Sequence, residues 1–164
     1  MIRQLLEEIE RSINANLFHV GLLAALTVPD IAGALDSEDG NADKTKYARW
    51  FDKYTAPSYY SYGEQLITGI DCYGYRCALL HQGRAMRRSS RYSKTVFLFA
   101  KQRNIAYCGA FKLDKGKTLA IDIPLFCHNM LRGAHTWLNE VEDTPRFRVN
   151  STEFMKLFQL SFGS

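Results

Sequence analysis

Gly63-Glu-Gln-Leu-Ile-Thr-Gly-Ile-Asp-Cys-Tyr-Gly-Tyr-Arg-Cys-Ala-Leu-Leu-His-Gln-Gly83 is the stretch on which the fold reading turns. Leu66, Ile70, Tyr73, Cys77 and Leu80 recur at alternating spacings of four and three. That period predicts a helix from about residue 64 to 82 with this stripe turned to a core, and Gly83 supplies a C-terminal stop. Positions five apart on a helix are separated by roughly 140°. Arg76 and His81 therefore flank the stripe, and the long Arg side chain reaches round to the groove that the imidazole enters.

Working outward, the preceding chain reads as three helices. Ile2, Leu5, Leu6, Ile9 and Ile13 fall on one face of the first. Asn16 is placed to cap a second that begins at Leu17, which Pro29 kinks or restarts before Ile31 to Leu35. After an acidic turn at residues 36–41, Asp43 is a good N-cap for a third, with Tyr47, Trp50, Phe51 and Tyr54 spaced to pack inward. The Tyr-rich segment 56–63 leads into the motif helix. Beyond it, 84–93 is a basic loop or helical extension, and 95–100 and 105–111 read as two strands joined by 101–104, with 118–121 as a candidate third. Pro124 suits the first turn of a long helix from Leu125 to about Val141. Asn150 with Glu153 resembles a capping box for a last helix, 151–160. The fold class expected is all-α: an up-and-down helical bundle with a small β-hairpin insertion around residues 94–121.

At 164 residues with 46% hydrophobic content, the chain reads as one domain, 1–164, with a sizeable core. The first residues are amphipathic and acidic, unlike a secretory leader. The longest apolar stretch, Leu17 to Val28, is too short to span a bilayer, so no membrane partner is expected. Cys72, Cys77, Cys108 and Cys127 form no C-x-x-C pair, which reads as reduced core thiols in a cytoplasmic protein.

Charge is unevenly spread. Residues 72–113 hold no acid and nine cations: Arg76, Arg84, Arg87, Arg88, Arg91, Lys94, Lys101, Arg103 and Lys112. Residues 1–71 carry six basic and eleven acidic residues. A cationic zone with an Arg and a His at its edge suits a phosphodiester and the movement of its protons.

The hexapeptide Arg76-Cys-Ala-Leu-Leu-His81, an Arg-x4-His with an apolar filling, resembles the signature of the HEPN superfamily. Those are helical-bundle proteins that include many RNA-cutting enzymes, some in toxin or defence settings. The resemblance implies an endoribonuclease that needs no metal or cofactor and acts through attack of the adjacent 2′-hydroxyl. It further implies RNA as substrate and a homodimer whose two motifs face one cleft. His81 would act as base or acid. Arg76 would stabilise charge on the non-bridging oxygens. Arg84, Arg87, Arg88 and Arg91 would grip neighbouring phosphates without reading sequence. Tyr59, Tyr60 and Tyr62 are candidate stacking platforms.

Other readings stand beside this one. Cys77 occupies the place where active members tend to carry Asn or Asp, which points to a catalytically silent module binding RNA, a nucleotide or a protein partner. His81 also reads as a satisfied helix-end histidine and Arg76 as the partner of an acid such as Asp71. The basic cluster also reads as a solvated face answering the acidic N-terminal part. Cys77 and His81 share a helix face, with Cys72, Cys127 and His128 as further conceivable zinc ligands, although the usual paired spacings are missing. His128 and His135 share a face of the long later helix.

Overall fold

The computed structural model describes residues 2–84, 86–87, 91–99, 108–113 and 116–154. Among them the helices are α1 (Ile2–Asn14), α2 (Phe18–Leu35), α3 (Lys44–Tyr54), α4 (Gly69–Gln82), α5 (Ile123–Val141) and α6 (Pro145–Ser151), with a short 3₁₀ turn at Ala56–Tyr59. The strands are β1 (Tyr60–Ser61), β2 (Glu64–Gln65), β3 (Met86–Arg87), β4 (Lys94–Leu98), β5 (Cys108–Leu113) and β6 (Gly116–Asp122).

This is a mixed α/β architecture, which overturns the expected all-α bundle with a hairpin insertion. β1 and β2 form a two-stranded sheet, and the other strands form a four-stranded sheet in the order β3-β4-β6-β5. The expected pairing of 95–100 with 105–111 does not form, because β4 and β5 lie on opposite sides of β6. β4 runs parallel to β6, from Lys94↔Thr118 to Leu98↔Asp122, and β5 pairs with β6 antiparallel from Cys108↔Ile121 to Leu113↔Gly116. Central position follows burial: Leu119, Ala120 and Ile121 on β6 are all at most 1% exposed. A hairpin signal is local, whereas a parallel partner is chosen by which strand covers both flanks of the most apolar one.

The sheet docks on the helices through Phe97. Its ring sits edge-on to Tyr75 of α4 at 5.5 Å and to Phe126 of α5 at 5.6 Å. Stacked Phe51 and Tyr59 and the Trp50–Trp137 pair continue this aromatic core between α3 and α5. α1 contributes Leu6 and Ile9 to it, as its period requires.

Local signals explain the helix ends. Asp43 caps α3 by accepting from Lys46 N, and Asp122 caps α5 by accepting from Leu125 N, with Pro124 in the first turn. α2 runs unbroken through Pro29. α4 begins at Gly69 and not near residue 64. Thr68 and Asp71 form a reciprocal capping box there, and residues 60–65 are spent on the β1–β2 hairpin. The stripe on α4 is also corrected: Asp71, Cys72 and Tyr75 face the core, while Ile70 is 51% and Leu80 36% exposed. The last helix is α6, capped by Thr144 with Pro145 behind it, so Asn150 is not a cap. Its amide instead donates to the carbonyls of Ala34, Leu35 and Ser37, fastening α6 to the end of α2. The expected last helix runs on into residues 155–160, outside the described residues.

Candidate functional site

α4 is held by two helices, α3 and α2, before any chemistry is considered. Gly69 N donates to Asp52 on α3 at 2.6 Å. Tyr47 on α3 donates its hydroxyl to Leu26 O of α2 at 3.1 Å and lies 3.3 Å from Cys72 Sγ. At the far end, Gly83 takes the left-handed conformation (φ 60°), so that Gly83 N reaches Leu79 O and Arg84 N reaches Ala78 O. This turn ends the helix at Gln82, one residue after His81, and leaves His81 exposed.

On this frame Arg76 and His81 meet. Arg76 Nη1 lies 2.7 Å from His81 Nε2, and Arg76 Nε donates to Asp30 Oδ2 on α2 at 2.8 Å. The Arg76 and Asp30 side chains are 23% and 19% exposed, so the ion pair is largely shielded. Burial works against the charged Arg76, but the hydrogen bond and charge of Asp30 outweigh it and hold its proton more tightly than usual. Cys77 adds a further contact to Arg76. Charge interaction and a hydrogen bond with the neighbouring Cys77 raise the Tyr73 hydroxyl, so Tyr73 keeps its proton. A guanidinium has five donors and no acceptor. With one donor on Asp30 and one on His81, the fork retains donors for an oxyanion.

The other expected contacts divide. Arg84 is exposed in the turn after α4. Arg87 lies on β3, and Arg88 falls outside the described residues. Arg91 has a structural set of acceptors: Gln65 O, Leu66 O at 2.9 Å and Asp71 Oδ2 at 2.8 Å. Asp71 sits ten residues before His81, about 15 Å along the helix. Arg91 thus braces the start of α4, remote from the Arg76–His81 end, and Asp71 belongs to Arg91 and not to Arg76. Tyr59 is core at 2% exposure, whereas Tyr60 and Tyr62 are exposed. His128 and His135 are exposed on α5, and Arg132 beside them donates to Ser58 and Asn129.

Among the described residues no group of three or more His, Cys, Asp or Glu converges as metal ligands. Burial pushes the Cys108 and Cys127 thiols up to about 12 and Cys72 higher still, which makes them inert core groups at neutral pH. A cleft of about 580 Å³ lies elsewhere, between the end of α2, α3 and Arg146, and none of the expected site residues lines it.

Asp30 is the member of the site that the sequence reading missed. A signal for it exists: His19 and Asp30 are the only ionisable side chains in the 18 residues of α2. A carboxylate in so apolar a helix needs a partner. α2 is also long and apolar enough to cross a membrane by length and composition, and half of it is buried in this fold. Comparison of the chain with models of known protein families, with curated proteins and with solved structures returned no match.

Proposed function

We propose that this protein binds RNA at the Arg76–His81 pair and cleaves it without a metal. The single observation that carries the reading is the direct contact between Arg76 and His81 at the exposed end of α4, with Asp30 anchoring the Arg. The 2′-oxygen would attack phosphorus while His81 takes its proton. The bond from phosphorus to the 5′-oxygen would break, and an acid would protonate that oxygen, leaving a 2′,3′-cyclic phosphate and a 5′-hydroxyl. Arg76 would meet the charge building on the non-bridging oxygens.

One chain presents one His81, so the acid is assigned to His81 of a second copy in a two-fold dimer. Exposed apolar side chains on the two helices that Asp30 and Arg76 join support that arrangement. Leu17 just before α2 and Val20 on it are more than half exposed, with Leu23 and Thr27 half-buried; on α4, Ile70 and Leu80 are exposed. Asp30 and Arg76 join these two faces. Arg84 and Arg87 would add phosphate contacts that carry no sequence information.

A second reading has its own support. Cys77 stands where an amide would hold substrate, and Asp30 already offsets the charge of Arg76, which suits a silent module that binds RNA, a nucleotide or a protein without cutting. Incubating purified protein with varied RNAs in EDTA separates the two. Cleavage to cyclic-phosphate ends, abolished by His81→Ala in a folded variant, is the expected result. Salt-sensitive binding with intact RNA, lost when Arg84 and Arg87 are changed to Glu, would establish the silent module and end the ribonuclease reading.

A further inference from the structure

We propose that Arg76 masks His81 in the unliganded protein and that a phosphate ester unmasks it, so that anion binding draws a proton onto the imidazole. Asp30 is the positioning residue for this exchange. The inference rests on the phosphate-binding reading above but not on whether RNA is cut.

The argument starts from donor and acceptor counting. At 2.7 Å, Arg76 Nη1 and His81 Nε2 share one hydrogen bond. Arg can only donate, so Nε2 contributes its lone pair, and the ring is neutral with its hydrogen on Nδ1. Nε2 is then occupied by the residue expected to assist it. A proton arriving at Nε2 would turn this bond into two opposed donors and place imidazolium against guanidinium. Among the charged and titratable neighbours in the described residues, Asp30 on α2 is the one that offers a counter-charge, and it is engaged at Arg76 Nε. Tyr73 on α4 and Tyr47 on α3 behind it have raised hydroxyls and supply none, Arg84 in the following turn is a cation, and Cys77 lies next to Arg76 on α4.

A phosphodiester changes each of these terms. Its oxygens match the guanidinium fork and are stronger acceptors than a neutral ring nitrogen. Once they take the Nη donors, the Nε2 lone pair is free, and an anion stands beside it to favour the protonated ring. Asp30 keeps Nε fixed throughout, so the fork exchanges acceptors without leaving the site. By reciprocity, protons must strengthen anion binding to the same extent that the anion strengthens proton binding.

The probe is a 2′-O-methyl RNA tetranucleotide, which lacks the attacking hydroxyl. Titration calorimetry at pH 6.5 in two buffers of different ionisation enthalpy reads the protons exchanged. Wild-type protein is expected to take up a measurable fraction of, and up to about one, proton per site. His81→Gln should bind without uptake, because the exposed side chain is not needed for folding. Asp30→Asn should weaken binding roughly tenfold, about 1.4 kcal/mol, and Asp30→Glu should recover part of it. Imidazole ¹⁵N shifts should report the Nδ1–H form in free wild type and a mixture in Asp30→Asn, a change that a merely structural Asp30 would not cause. Binding heats that are identical in both buffers, or uptake that survives His81→Gln, would overturn the proposal. Failure to bind overturns it together with the RNA reading. Uptake without cleavage of ordinary RNA would uphold it while ending the ribonuclease reading, and cleavage without uptake would do the reverse.

Discussion

Arginines close together in sequence serve different purposes in this fold, and acceptor geometry tells them apart. Arg91 is surrounded by backbone carbonyls of Gln65 and Leu66 and the carboxylate of Asp71, the same Asp71 that closes the capping box of α4. Truncating it would leave these acceptors short of a partner just where the helix begins. Arg91→Ala should therefore lower stability by about 1–3 kcal/mol, the cost of losing charge-assisted hydrogen bonds. Arg84→Ala, at an exposed turn, should stay within about 0.5 kcal/mol. Urea denaturation of both variants checks this, and equal effects would show that the Arg91 bracket does not hold in solution. The contrast bears on function as well, since Arg84 remains available for a phosphate while Arg91 is committed to the fold. Nothing in the run of basic residues distinguishes the two, because the distinction lies in what the β1–β2 hairpin and the start of α4 present to each.

α4 shows at the level of elements what was legible and what was not. Its existence, its end at Gly83 and the meeting of Arg76 with His81 follow from period and spacing, as do α1, α3 and α5 from their caps and apolar faces. Its start and its orientation did not follow. Both Ile70-Tyr73-Cys77-Leu80 and Asp71-Cys72-Tyr75 are plausible inner faces on hydrophobicity alone, and α4 lacks a clean polar side to decide between them. What decides is close packing on α3. A Cβ at Gly69 would stand 2.2 Å from Ala48 O and 2.5 Å from Ala48 Cα, so only glycine lets the two helices approach at this angle. Gly69→Ala should cost roughly 1–3 kcal/mol as overpacking against rigid backbone. It should also shift the amide resonances of α4 as far as His81, whereas a melting point unchanged from wild type would contradict the close approach. The sheet order and Asp30's partner were hidden for a related reason. The β4–β6 pairing and the Asp30–Arg76 pair join residues far apart in the chain, and local pattern does not encode such choices.

The molecule as a whole exposes apolar side chains on the two helices that its most distinctive ion pair joins. Val20 is 57% exposed, Ile70 51% and Leu80 36%, and the Arg76–Asp30 ion pair bridges the two helices that carry them. Exposed apolar side chains on two joined helices offer area to a binding partner, spread along them with Val20 ten residues, about 15 Å, from Asp30. On the proposed reading a second copy is the occupant that would also complete the chemistry, because it would bring another His81 to the same phosphodiester. Val20 and Leu80 are exposed in the single chain, so replacing them tests association without disturbing the core. Val20→Glu and Leu80→Glu should each convert a dimer into a monomer in sedimentation equilibrium, weakening association by about 100-fold or more, near 3 kcal/mol. Their unfolding free energies as monomers should remain within about 0.5 kcal/mol of one another. If RNA cleavage needs both copies, it must fall with association in these variants although Arg76 and His81 are intact. Mixing His81→Ala protein with wild type should then poison activity beyond simple dilution. A wild-type chain that sediments as a monomer at its highest soluble concentration, yet still cuts RNA, would assign the acid to a residue within one chain.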